Sequence, residues 1–247
     1  MSDEITKQDS LRSFSLSRGK LTAKRSALQE RIAAQQSAVA AADQMPNRIC
    51  LMLDCSSSMS ETVEQAGLRS KTKLDLLKEA IENFASRCDF SNSSVAIETF
   101  PERSERASLP LSVGTVVLFH AQSFEARGGT PLHACVERAI NKVPMTRAVI
   151  VSDGEAWDWF VEDVKGDAVL KLYKDRQIAI DCVHIGDSSS GEELLRRIAH
   201  ETNGLYLNFT DVGAFASAFG YLTPGFRAIL TSGTLDAAKL GASEIKR

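Results

Sequence analysis

The segment DCSSSMS, residues 54–60, carries the side chains with the clearest potential for chemistry. It follows Ile49–Leu53, an apolar run with the pattern of a buried strand. A plain turn could use aspartate, serine or glycine in any order. Here Asp54, Ser56 and Ser58 alternate, which aims several oxygen atoms at one point. The spacing therefore indicates a ligand site as well as a turn.

A second aspartate and a threonine follow the same logic. Asp153, in VSDGEA, comes directly after the apolar run Ala148–Val151, and Thr130, in GGTPL, precedes a predicted helix. In open α/β sheets, ligands bind at the carboxyl ends of the strands, where the winding order reverses. If the two apolar strands are central neighbours, Asp54 and Asp153 face each other. Two carboxylates placed that close repel each other unless a cation lies between them.

The chemistry of this set points to a hard ion. The five predicted ligands are all oxygen donors, which favours Mg²⁺ first and Mn²⁺ or Ca²⁺ second. Two carboxylates only neutralise a divalent cation, and Mg²⁺ readily keeps exchangeable positions. An ion held in this way stays electrophilic and can accept a carboxylate from another molecule. The predicted metal ligands are Asp54, Ser56, Ser58, Thr130 and Asp153.

Alternating strand and helix patterns must position these side chains. They predict an α/β sheet, doubly wound and mostly parallel, with helices on both faces. Thr130 as N-cap with Pro131 next, and Ser190 with Glu193 in capping-box spacing, predict two helix starts, and Gly204 predicts a helix end. A helix from Leu74 to Cys88 joins the first two of the predicted strands, which are Ile49–Leu53, Val95–Phe100, Ala107–Val113, Ala148–Val151, Ile178–Ile185 and Leu205–Phe209. Further helices are predicted near Asp167–Arg176 and at Val212–Leu222.

Three segments are distinguished by composition. Residues 1–46 lack strand-like runs, are basic near 12–25, and place Leu21, Leu28, Ile32 and Val39 at helical spacing, which predicts a helical arm. Residues 47–224 form the predicted domain, and 225–247 a tail that is a weak helix or a loose end.

Bulk composition excludes several classes of protein. The chain has 247 residues, 43% hydrophobic and 25% charged, as in ordinary globular proteins. A net charge of −3 gives no field that would recruit nucleic acid or a membrane surface. No apolar run approaches the ~18 residues of a membrane span, and no signal-peptide core is present. The five scattered cysteines have no metal-finger spacing, which predicts buried free thiols and a cytoplasmic location.

The motifs DCSSSMS, GGTPL and VSDGEA resemble the metal-ion-dependent adhesion site of von Willebrand factor A-type (vWA) domains, in its bacterial form. The resemblance covers roughly residues 47–222. It implies a Rossmann-like, six-stranded, mostly parallel sheet with one antiparallel edge strand, here Ala107–Val113. It also implies direct metal contacts from Ser56, Ser58 and Thr130, contacts often through water from Asp54 and Asp153, and a partner carboxylate completing the coordination.

The expected function is a non-enzymatic adaptor or scaffold that captures a partner's aspartate or glutamate through Mg²⁺. The resemblance adds an AAA+ ATPase as a partner class. Two alternatives stay open. One is a Mg²⁺-dependent phosphatase or phosphotransferase with Asp54 as nucleophile, although Ser56 stands where a general acid would be expected. The other is nucleic-acid binding through the basic arm.

Several other residues have open or modest expectations. Trp157 and Trp159, which follow the second aspartate loop, are expected to pack in the core, with a role as partner anchors as the alternative. Glu155 is expected to be solvated. Asp181, inside a strand, either pairs with a buried base or faces an edge. All four histidines are expected to be core or surface residues, with no shared site: His120, His133, His184 and His200.

Overall fold

In a computed structural model, the chain folds into two compact units, residues 1–41 and 42–247. In the smaller unit the described positions are helical and exposed. The predicted boundaries at 46 and 224 stay predictions, since most of both flanking segments lies outside the described residues. The structure describes residues 27, 29–30, 33–34, 37, 41–63, 71–101, 108–153, 156, 158–159, 163–185, 189–209 and 244–246.

Strands and helices alternate through the larger unit. The strands are β1 (Asn47–Asp54), β2 (Thr62–Val63), β3 (Lys71–Thr72), β4 (Ser93–Phe100), β5 (Leu109–Ser112), β6 (Arg147–Ser152), β7 (Ala179–Ile185), β8 (Tyr206–Phe209) and β9 (Glu244–Lys246). The helices are α1 (Lys73–Arg87), α2 (Thr115–Ala121), α3 (Leu132–Lys142), α4 (Asp163–Asp175) and α5 (Ser189–Glu201), with a 3₁₀ turn at Ser57–Ser60.

The main sheet has the order β5-β4-β1-β6-β7-β8-β9. Strands β4, β1, β6, β7 and β8 are parallel, and β5 pairs antiparallel with β4. The six predicted strands therefore form a mostly parallel sheet with β5 as its antiparallel edge strand, as predicted, and β9 adds a seventh strand beside β8. The chain leaves β1 for β4 on one side and later returns to β6 on the other, so the winding order reverses between β1 and β6.

Two hydrophobic cores cover the two faces of the sheet. Alternate residues of β1 point to opposite faces, as the pleat requires. Leu51 packs in one core with Leu77 and Phe84 of α1, and Met52 packs in the other with helices α3, α4 and α5. All of these side chains are buried, which is why the runs Ile49–Leu53 of β1 and Ala148–Val151 of β6 are continuously apolar. Helices on both faces are thus confirmed.

The structure contains several elements that the sequence patterns did not predict, among them β2, β3, β9 and α2. A short strand, β9, pairs antiparallel with β8 and comes from the predicted tail. Helix α2 is built from TVVLFHA, whose β-branched and aromatic residues give a weak helical signal. The predicted helix at Val212–Leu222 lies outside the described residues.

Two predicted helix starts are wrong. Helix α3 begins at Leu132 with Pro131 at the cap position and no side-chain cap hydrogen bond, so Thr130 is not its N-cap. Helix α5 begins at Ser189, which places Ser190 inside the helix instead of at its cap. The predicted helix end at Gly204 agrees more closely with the structure. Helix α5 ends at Glu201, and the Gly204 N–H donates to the carbonyl of Ala199 at 2.8 Å, which closes the turn after the helix.

All five cysteines are buried and none forms a disulfide, as predicted. Burial raises the pKa of the Cys88 thiol to about 11, which keeps it protonated and unreactive at neutral pH. Within the described residues, no helix combines the length and the apolar character that crossing a lipid bilayer requires.

Candidate functional site

The two predicted aspartate loops leave the sheet side by side. Strands β1 and β6 are hydrogen-bonded neighbours, and Leu53 pairs with Val151. Asp54 ends the first strand, and Asp153 follows the second. Both carboxylates therefore lie at the carboxyl ends of adjacent strands, where the winding order of the sheet reverses. This is the position at which open α/β sheets bind ligands.

Asp54 is fixed by hydrogen bonds from both sides. Its Oδ1 accepts from the backbone N–H of Ser56 at 2.8 Å, and its Oδ2 accepts from the Ser152 hydroxyl at 2.7 Å. The side chain is completely buried. The pKa of Asp54 is raised to about 6, chiefly by burial and also by the nearby charge of Asp153, against the hydrogen bonds from Ser56 and Ser152, which lower it. A cation beside this carboxylate would offset the cost of its buried charge.

The serine hydroxyls connect the first loop to the second aspartate. Ser56 Oγ and Ser58 Oγ are 2.9 Å apart, and the Ser58 hydroxyl donates to Asp153 Oδ1 at 2.9 Å. Ser56 and Asp153 are buried, and Ser58 is half-buried. Four of the five predicted ligands are therefore brought together by strand pairing and by this chain of hydroxyls.

Thr130 lies on a third loop that is held against the first by backbone hydrogen bonds. The Ser57 N–H donates to the carbonyl of Gly128 at 2.9 Å, and the Arg127 N–H donates to the carbonyl of Cys55 at 2.8 Å. Thr130 is buried, with 8% of its surface exposed. The N-terminus of α3 is instead capped by a residue that lies 24 positions later in the sequence, since Asp158 Oδ2 accepts from the Ala134 N–H at 3.1 Å. The Thr130 hydroxyl is therefore not used as a helix cap.

Lys73 belongs to the site and was missed by the sequence patterns. Its Nζ lies 2.7 Å from Asp153 Oδ2 and 2.7 Å from Glu61 Oε2. Burial alone would lower the pKa of Lys73, but its hydrogen bonds and charge interactions with Asp153 and Glu61 outweigh that effect and raise it. A lysine at the start of a helix gives no signal of its own, because its carboxylate partner is 80 residues away.

The donor set suits a hard cation. Carboxylate and hydroxyl oxygens converge at one sheet edge, and the donors named here include no thiolate or imidazole. Among the described residues, no group of three or more histidine, cysteine, aspartate or glutamate side chains is placed to hold a metal. A metal bound at these loops would thus depend on hydroxyl ligands in addition to two carboxylates, the composition that Mg²⁺ accepts when it keeps several waters.

The remaining candidates have structural roles or lie outside the described residues. Trp159 is completely buried, which confirms packing for this tryptophan. Asp181 pairs with a buried base, since the Arg147 Nε donates to its Oδ2 at 2.7 Å. His133 and His184 are buried and His200 is exposed, as expected of core and surface residues. Trp157 and Glu155 lie outside the described residues.

No protein-family model matches the chain, and no curated protein matches it. Among solved structures the chain is similar to the crystal structure of the SpRpn10 VWA domain, with a TM-score of 0.53 and 13% identity over 72% of this chain and 95% of that one. It is also similar to the pilus adhesin SpaC from Lactobacillus rhamnosus GG, with a TM-score of 0.57 and 12% identity over 76% of this chain and 31% of that one. The chain thus spans about a third of the adhesin's length. The chain has the vWA fold, as the motifs predicted.

Proposed function

We propose that this chain is a non-enzymatic, metal-dependent protein-binding module that captures an aspartate or glutamate of a partner protein through Mg²⁺. Ser56, Ser58 and Thr130 would hold the ion directly, and Asp54 and Asp153 would neutralise it. When bound, Mg²⁺ supplies an electrophilic position that a partner's carboxylate can fill. The observation that carries the proposal is the hydrogen-bonded chain from Ser56 through Ser58 to Asp153, placed beside buried Asp54.

The chain's own residues explain why capture would be specific. The Ser56 and Ser58 hydroxyls are hydrogen-bonded to each other and to Asp153, so they are preorganised and little entropy is lost when a ligand binds. Two carboxylates only balance the charge of a divalent ion, which leaves it able to attract a third carboxylate. The vWA fold supports the assignment to a binding module, and the resemblance makes an AAA+ ATPase a partner class to test.

A matched pair of serine variants tests the metal site. Ser56→Ala removes a predicted ligand, whereas Ser60→Ala removes a hydroxyl of the same loop that donates to the Ser57 carbonyl at 2.7 Å. We expect Ser56→Ala to lose Mg²⁺ binding in calorimetry and to keep a cooperative thermal transition, and Ser60→Ala to bind like the wild type. Equal Mg²⁺ binding by both variants would contradict the proposed ligand set.

Partner capture is tested by affinity purification from a native extract, once with Mg²⁺ and once with excess EDTA. Proteins retained with Mg²⁺, released by EDTA and absent from an Asp54→Ala column are the expected result. Full retention of every bound protein in EDTA would refute capture through a metal.

The structure also supports the proposal that the chain is not an enzyme. A nucleophilic aspartate must reach its substrate, but Asp54 is completely buried and both of its oxygens accept hydrogen bonds from Ser56 and Ser152. We expect no hydrolysis of p-nitrophenyl phosphate in saturating Mg²⁺, and turnover that Asp54→Asn abolishes would favour the phosphatase alternative.

A further inference from the structure

Lys73 supplies a positive charge to the carboxylate where the proposed metal would bind. Its Nζ is 2.7 Å from Asp153 Oδ2, while the other oxygen of that carboxylate accepts from the Ser58 hydroxyl. Only 1% of the Asp153 side chain and 17% of the Lys73 side chain are exposed. An ion pair with this little exposure is weakly screened, so its interaction exceeds that of an ordinary surface pair.

The backbone around Lys73 holds this ammonium in place. Strands β2 and β3 pair antiparallel, with Thr62 opposite Thr72, immediately before α1. The Lys73 N–H donates to the carbonyl of Glu61 at 3.0 Å, and Lys73 is the first residue of a helix capped by Thr72. The position of Lys73 is therefore set by local structure that does not depend on Asp153.

Glu61 offers the ammonium a second anion. Its Oε2 is also 2.7 Å from Lys73 Nζ. Glu61 Oε2 and Asp153 Oδ2, which both contact this nitrogen, are therefore at most about 5.4 Å apart. The Glu61 side chain is 64% exposed, in contrast to that of Asp153. An ammonium that leaves Asp153 can stay paired with Glu61 at the surface, where water also solvates it.

We infer that Lys73 is the internal counter-cation of the metal-free site, so that binding a divalent cation is an exchange in which the Lys73 ammonium gives up Asp153. The inference rests on the proposed function, since it requires a cation at the same carboxylate. Two positive charges a few ångströms apart repel each other strongly in a partly buried site. Lys73 therefore stabilises the empty site, lowers its affinity for the metal, and makes affinity depend on how readily Glu61 accepts the ammonium.

Calorimetric titration of metal-free protein with Mg²⁺ tests the exchange. Lys73→Met removes the charge and keeps an unbranched side chain of similar length. Lys78→Met removes a charge from the same helix at a position whose Nζ donates to the backbone carbonyl of Gln122 at 3.5 Å. We expect Lys73→Met to bind Mg²⁺ about tenfold more tightly than the wild type, and Lys78→Met to bind within a factor of two.

A second variant and a second measurement keep the test conclusive if Lys73→Met misfolds. Lys73→Gln removes the charge but keeps a hydrogen-bond donor, and the same gain in affinity is expected. In EDTA, both Lys73 variants should melt at a lower temperature than the wild type, because Asp153 loses its counter-charge, and Mg²⁺ should raise their melting temperature more than it raises that of the wild type.

The outcomes separate this inference from the proposed function. Equal or weaker Mg²⁺ binding by Lys73→Met and Lys73→Gln overturns the exchange and leaves the metal site standing. Binding by the two Lys73 variants but not by the wild type supports the exchange and overturns Mg²⁺-dependent capture by the native chain. No binding by any of the proteins overturns both.

Discussion

At the scale of single residues, buried carboxylates show how this chain compensates charge away from water. Asp181 is completely buried, and its Oδ1 accepts from the Leu205 N–H at 2.8 Å while its Oδ2 accepts from the Arg147 guanidinium. Its compensation is complete within the protein. Asp54 and Asp153 differ from Asp181, because they share one neighbouring lysine, Lys73, which forms an ion pair with Asp153. Asp181 therefore has a structural role, whereas Asp54 and Asp153 are the carboxylates that the proposed metal would neutralise.

The Asp181 pair makes a prediction about stability. Arg147→Met leaves the Asp181 carboxylate buried without its ionic partner, which costs about 3–5 kcal/mol of unfolding free energy. Arg127→Met breaks an exposed pair with Glu125, in which both side chains are about two-thirds exposed, and should cost about 0–1 kcal/mol. Urea unfolding of both variants measures the difference, and similar small losses would show that Asp181 is not dependent on Arg147.

At the scale of elements, local signals determine where α1 begins. Thr72 and Asp75 form a capping box, in which the Asp75 N–H donates to Thr72 Oγ1 at 3.1 Å and the Thr72 N–H donates to Asp75 Oδ2 at 3.0 Å. The apolar stripe Leu74, Leu77, Ile81 and Phe84 then buries one face. The predicted helix agrees with the structure because its apolar stripe involves residues only three or four positions apart, and the capping box, which was not predicted, is equally local.

This capping box predicts a pH dependence of stability. The Thr72 hydrogen bonds lower the pKa of Asp75 below its usual value, so ionised Asp75 stabilises the folded state. For a carboxyl group with a lowered pKa, that contribution is complete above the unfolded-state pKa of about 3.9 and is lost as the pH falls through the folded-state pKa. We expect Asp75→Asn to destabilise the protein at pH 7, and the difference from the wild type to shrink below about pH 4. Chemical unfolding at several pH values measures it, and a constant difference would rule out the ionic contribution.

A tertiary contact determines the turn after α5. Gly204 was predicted to end the helix, but the left-handed residue of this turn is Asn203, with φ of +58°. Gly204 is required for a different reason. A Cβ at this position would lie 1.8 Å from the carbonyl oxygen of Ile180 in β7. The glycine permits two backbones to approach, and sequence spacing cannot reveal that approach.

Two substitutions in this turn separate the reasons. Gly204→Ala forces the Ile180 backbone to move and should cost about 3 kcal/mol of unfolding free energy. Asn203→Gly introduces glycine at a position that already has left-handed backbone, a conformation that glycine adopts readily. It should therefore change the free energy of unfolding by under about 1 kcal/mol. Thermal and urea unfolding of both variants compare them. A larger loss for Asn203→Gly than for Gly204→Ala would contradict the assigned roles.

At the scale of the whole molecule, the proposed site couples metal binding to folding, because its ligands come from three separate loops that meet only in the folded chain. A ligand that binds only the folded state stabilises it by RT ln(1 + [L]/Kd), about 2.7 kcal/mol at one hundred times Kd. We therefore expect saturating Mg²⁺ to raise the melting temperature of the wild type and EDTA to reverse the increase. Asp54→Asn, which keeps the size of the side chain, should show neither effect. An equal increase in Asp54→Asn would place the stabilising metal elsewhere.

Sequence alone determined the elements whose cause is local. The apolar runs predicted β1 and β6, the stripe from Leu74 predicted α1, and aspartates directly after apolar strands predicted the candidate ligands. These signals depend on neighbours within about one helical turn, or on the two-residue repeat of a strand. The metal, the partner and the location remain predictions, since no pattern of neighbours identifies what a site binds.

Only the tertiary structure decided which residues meet across the sheet. It pairs β1 with β6, and it brings together Ser58 and Asp153, Arg147 and Asp181, and Lys73 and Asp153. The last three contacts join residues between 34 and 95 positions apart, and Coulomb interaction and packing act through space without regard to that separation. The residue types set what chemistry is available, and the fold selected the groups that share it.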